Sequence, residues 1–143
     1  VSDTADQITA LEQVLSWGDT RDIAAVNLSM ASATTYAGDC DSSYPDYANA
    51  VNNLVSAGIA VVASSGNGGH ANGIAFPACL SNVISVAATG DDDDGPYSSN
   101  DIGNNLDLFA PGVGKNQPFR MEPGHLRMAL QWQQPMCPER GRL

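Results

Sequence analysis

Asn67 is the residue of this chain best placed to do chemistry. It stands in residues 59–69, IAVVASSGNGG, where a short apolar strand runs into a turn of small residues. A side-chain amide held at the end of a buried parallel strand can donate a hydrogen bond to an oxygen that becomes negative only during reaction. A plainer reading of the same residues is a turn asparagine, tolerated among glycines for its unusual dihedrals. A third reading makes GNGG a phosphate cradle, which needs a helix N-terminus directly downstream. His70, Ala71, Asn72 and Gly73 lead instead to Pro77 and a further strand, and the spacing is not GxGxxG. Phosphate binding is therefore the weakest of the three.

Stepping outward, the pattern supplies elements that can hold such a turn. Ile8, Leu11, Val14 and Leu15 recur at helical spacing, with Asp3 or Thr4 as a cap and Gly18 as a stop. Residues 23–30 read as a buried strand. Ala48, Val51, Leu54 and Val55 mark a second amphipathic helix, and Gly58 follows it in the position favoured for a left-handed cap. Residues 59–64 form the next strand, so strand, helix and strand in this order predict a right-handed crossover and a parallel pair. Residues 83–88 and 106–110 supply two more short strands. The expected class is α/β, a parallel sheet with helices on its faces.

Composition sets the outer limits. The chain has 143 residues, 43% of them apolar, which suits one globular domain at most. A net charge of −10 argues against nucleic acid, whose phosphates call for clustered Lys and Arg. No apolar run approaches membrane-spanning length, and residues 1–3 do not start a signal peptide. The charge is uneven: residues 1–114 hold fourteen acids and one base, residues 115–143 two acids and five bases. Two compositions meet near Gly114. Beyond it, four prolines and no sustained period predict an irregular tail, disordered or foreign to the rest.

Cys40 and Cys79 lie in loops on either side of the central crossover. A disulfide between them encloses about forty residues, worth roughly 3–4 kcal/mol by loop entropy, and suits a secreted protein; two free thiols are the alternative. Cys137 has no evident partner. Residues 91–94, four consecutive aspartates, lack the alternate spacing and distal Glu of a calcium loop and read as a solvated turn. His70 and His125 read as loop or surface histidines. No metal site and no cofactor are expected from these residues.

Taken together, AAVNLSM, IAVVASSGNGG, FPACLSNVISVAAT and LDLFAPGV resemble subtilisin-like serine proteases over residues 8–113. The resemblance implies that Asn67 donates its amide to the tetrahedral oxyanion. It implies too that Ser29, Met30 and Ala31, with Ser64, Ser65 and Gly66, flank the primary specificity pocket, the first group pairing with a peptide substrate as an added strand. Met30 and Ala31 depart from the family's usual Ser-Leu-Gly. The expected organisation is a partial catalytic domain over residues 1–114 and a non-homologous tail over residues 115–143. Peptide or protein is the expected partner, the expected location is extracellular, and calcium belongs, if anywhere, to the complete domain.

The family's triad runs Asp, His, Ser in chain order. The matched segments lie between its His and its Ser, so the Asp and His blocks are expected before Val1. Neither histidine here stands in a His-Gly-Thr-His block, and the Ser block, Gly-Thr-Ser-Met-Ala, is not legible in the tail. A displaced reading frame restores part of it. The codons of Met128–Ala129, Trp132–Gln133 and Met136–Cys137 force Gly, Ala and Val in that frame, at the motif's spacing. A single-base deletion near Gly114 is the expectation this supports. As written, the chain is expected to be proteolytically inactive. The competing expectations are a non-catalytic α/β ligand-binding module and a non-functional gene relic.

Overall fold

A computed structural model describes residues 3–18, 20–90 and 96–112. The tail, the residue 91–94 run, His125 and Cys137 lie outside the described residues. Helix α1, Thr4–Gly18, begins where the Asp3 carboxylate accepts from the Ala5 amide at 3.3 Å, an N-cap bond. It buries Leu11, with Ile8, Val14 and Leu15 packed partly against the core. Strand β1, Ala25–Leu28, is shorter than the apolar run that contains it. Helix α2, Pro45–Ser56, follows a 3-10 turn at Asp41–Ser43 and starts with proline in its first turn, where a missing N–H costs nothing.

Tyr47, Val51 and Leu54, one face of α2, are buried, whereas Val55 is 40% exposed and leaves the expected stripe. Its C-terminus closes as a Schellman cap. Gly58 sits at φ +81°, its amide donates to Val55 O at 3.0 Å, and the Ile59 amide donates to Leu54 O at 3.0 Å. That cap turns the chain straight into β3, Ala60–Ser64.

Strand β3 lies at the centre of a four-stranded sheet ordered β1-β3-β5-β6, with β5 at Ile84–Thr89 and β6 at Leu108–Pro111. Every pairing is parallel, so the C-terminal ends of all four strands share one edge. A two-residue antiparallel pair, β2 (Thr35–Tyr36) with β4 (Ile74–Ala75), was not foreseen. α2 packs on β3 and α1 on α2. Val61 and Ala63, one face of β3, share a single core with these helices, while Val62 and Val86 are buried outside it. Cys40 and Cys79 form a disulfide, and the Cys40 amide donates to Cys79 O at 2.9 Å.

Candidate functional site

The C-terminal edge of a parallel sheet is where strand ends present groups to a ligand. Two adjacent ends matter here. The register Leu28↔Ala63 places Ser29 and Ser64 side by side as the next residues of β1 and β3. Ser29, Met30 and Ala31 are exposed. Asn27 Nδ2 donates to Ser29 Oγ at 2.8 Å, and among the described residues the segment's backbone is next tied down at Ser32, whose amide donates to Phe76 O at 2.8 Å.

Beyond β3 the chain is held residue by residue. Ser64 is half-buried; Ser65 and Gly66 are buried. The Ser65 amide donates to Val86 O at 2.9 Å, and Ser65 O accepts from the Ala75 amide at 2.7 Å. The chain thus leaves the sheet at Ser65 and returns to the same residue at Ala75. Ser65 Oγ is buried and, among the described residues, has no hydrogen-bond partner. Gly66 adopts φ +115°, and a Cβ there would overlap the Asp101 carboxylate. Asn67, at the crest, is exposed, and its side chain makes no hydrogen bond among the described residues.

A second loop grips the first. The Asp101 amide donates to Gly66 O at 3.1 Å, the Gly69 amide to Ser99 O at 3.0 Å, and the Ile102 amide to His70 O at 2.7 Å. Asp101 Oδ1 accepts from the His70 amide at 2.9 Å and lies 2.7 Å from His70 Nδ1. The carboxylate is 3% exposed and the imidazole 51%. Spacing along the chain reads His70 as a plain loop histidine and gives Asp101 no role. Their separation of 31 residues carries no sequence signal.

A cavity of about 390 Å³ opens beside the β1 end, lined by Met30, Ala31, Ser32, Tyr44, Phe76 and Pro77, with Thr4 and Gln7 of α1. Tyr44 stacks on Phe76 with ring centroids 3.9 Å apart, and Tyr47 meets the same ring edge-on at 4.8 Å. The Tyr44 phenol is raised above its usual range by its hydrogen bond to Tyr36 and by burial. No group of three or more His, Cys, Asp or Glu able to hold a metal occurs among the described residues. Nor does a helix follow β3: the loop runs directly to β4, so the glycine-rich turn lacks the helix N-terminus that phosphate binding requires.

The pattern of the subtilase family matches residues 2–134. The chain belongs to the subtilase family. This subtilase chain is 35% identical over 112 residues to subtilisin BL of Lederbergia lenta, covering 78% of this chain and 38% of that protein. It is 35% identical over 107 residues to alkaline elastase YaB of Bacillus sp. (strain YaB), covering 75% and 26% respectively. The chain therefore spans well under half the length of these relatives. Among solved structures, it matches a cold adapted subtilisin-like serine proteinase with TM-score 0.60 at 20% identity, over 78% of this chain and 37% of that one. The prenylagaramide maturation protease PagA matches with TM-score 0.63 at 23% identity, over 78% and 38%. These two likenesses establish the subtilase α/β fold.

Proposed function

We propose that this chain carries the oxyanion turn and part of the substrate cleft of a secreted serine endopeptidase. In the complete domain a Ser nucleophile, activated by a His that an Asp orients, attacks the scissile carbonyl. Asn67 then donates its amide to the oxygen of the tetrahedral intermediate. One observation carries this reading: at the end of β3, an exposed amide with no hydrogen-bond partner among the described residues sits on a turn anchored at Gly66 on one side and at Gly69 and His70 on the other. Donors fixed before the reaction need no reorganisation when the charge develops.

Ser29, Met30 and Ala31 lie past an edge strand, with backbone free to pair with an extended peptide, and Ser64 to Gly66 form the facing wall. The aromatic-walled cavity beside Met30 suits an apolar side chain of that peptide. The disulfide fits an oxidising, extracellular setting. No cofactor enters this chemistry.

None of the 143 residues stands in a block matching the family's triad, so this polypeptide alone hydrolyses no peptide bond. Incubation of the pure chain with casein and a serine-directed phosphonate tests this. The expected outcome is intact casein and an unmodified mass. Covalent labelling by the phosphonate would overturn it.

A further inference from the structure

We propose that Asp101, working through His70, is the positioning residue that sets the Asn67 amide. This rests on the reading of Asn67 as the oxyanion donor and adds what holds it there. Asn67 has no bond of its own among the described residues, so the backbone that carries its amide is placed by its neighbours. On its N-terminal side, Gly66 O accepts from the Asp101 amide, and the Gly66 Cα faces the Asp101 carboxylate too closely for any side chain. On its C-terminal side, the same carboxylate takes both the His70 amide and His70 Nδ1. A carboxylate only accepts, so Nδ1 carries the hydrogen. The ring lies over Gly68, where a Cβ would overlap it. One residue therefore grips the turn on both flanks of Asn67, through its backbone amide at Gly66 and through its buried carboxylate at His70.

The grip is referred back to the sheet. Asn100, 3% exposed, donates from Nδ2 to Ala88 O at 2.6 Å and accepts at Oδ1 from the Ala88 amide at 3.1 Å. This two-way pairing clips the residue before Asp101 to the end of β5. Placement thus runs from β5 through Asn100 to Asp101, then to the turn. The Asp101 charge is an acceptor that can hold two donors at one oxygen, and its burial keeps water from competing for them.

The test uses 15N-labelled full chain and three variants: Asp101→Ala, Asp101→Asn and His70→Ala. Two-dimensional NMR follows the Asn67 backbone amide resonance, the His70 Nδ1 resonance and amide hydrogen exchange. In Asp101→Ala, exchange at Gly69 and His70 should rise at least tenfold and the Asn67 backbone amide resonance should shift as the turn loosens. Amides of β3 and β5 should stay unchanged. Asp101→Asn keeps an acceptor oxygen in place and should restore exchange to within about threefold of wild type. His70→Ala, which keeps the backbone bond, should fall between. An unmoved Asn67 backbone amide resonance in Asp101→Ala, or exchange accelerated equally throughout β3 and β5, would overturn the proposal. If Asp101→Ala does not fold, His70→Ala decides: an Asn67 backbone amide resonance identical to wild type rejects the clamp. This experiment reads the clamp whether or not Asn67 meets an oxyanion, so its failure is distinct from failure of the functional reading.

Discussion

The ends of β1 and β3 lie side by side and are built in opposite ways. Past β3, Ser65, Gly66, Gly69 and His70 each bond to a partner in β4, β5 or the loop over residues 99–102, and Asn67 and Gly68 make no hydrogen bond among the described residues. Past β1, Ser29 to Ala31 are exposed, and among the described residues their backbone makes no hydrogen bond before Ser32. The contrast follows from what each must do in the proposed chemistry. A donor for a charge that appears in the transition state has to be set beforehand, whereas a strand that accepts a peptide needs unpaired backbone. Fixed geometry and open valence cannot be provided by the same residues.

Four perturbations sharpen this difference, in descending order of effect. Cys40→Ser with Cys79→Ser removes the bridge that ties the loop before α2 to the segment carrying Phe76 and Pro77, which line the cavity beside the β1 end. With a sequence separation of 39, stability should fall by about 4 kcal/mol on the loop-entropy account, read from urea denaturation. Gly66→Ala strikes the β3 end alone. Positive φ and overlap with Asp101 act together, and about 3 kcal/mol should be lost in the same assay.

The third perturbation is alkali. Burial pushes the Tyr47 phenol up to about 12, while in the unfolded chain it titrates near 10. The folded state holds its proton longer, so Tyr47's contribution is complete below about pH 10 and lost as pH rises through about 12. Urea midpoints measured from pH 9 to 12 should fall over that window, and Tyr47→Phe should flatten the fall. The smallest effect belongs to the open end. Met30→Ala should change stability by no more than about 0.5 kcal/mol, as at other exposed positions.

The two ends also differed in how far sequence could foresee them. The α2–β3 unit was legible because Val51 and Leu54 keep helical spacing and Gly58 takes the positive φ its position demanded. Asn67 could be placed at the end of a buried strand from local composition alone. What stayed hidden is tertiary. The β2–β4 pair is two residues long, too short for alternation to register. Strand β1 ends at Leu28, paired with Ala63, one residue before the end of β3 at Ser64. The Asp101–His70 contact joins loops that only the sheet brings together, and neither residue's neighbours announce it.

The most direct test of a prebuilt oxyanion turn is amide hydrogen exchange across the unmodified chain. Gly69, His70, Asp101 and Ile102 should be protected nearly as well as Val62 in β3, with Met30 and Ala31 exchanging at least tenfold faster. Equal, rapid exchange at both strand ends would mean that the turn is not held before substrate arrives, and would contradict the account.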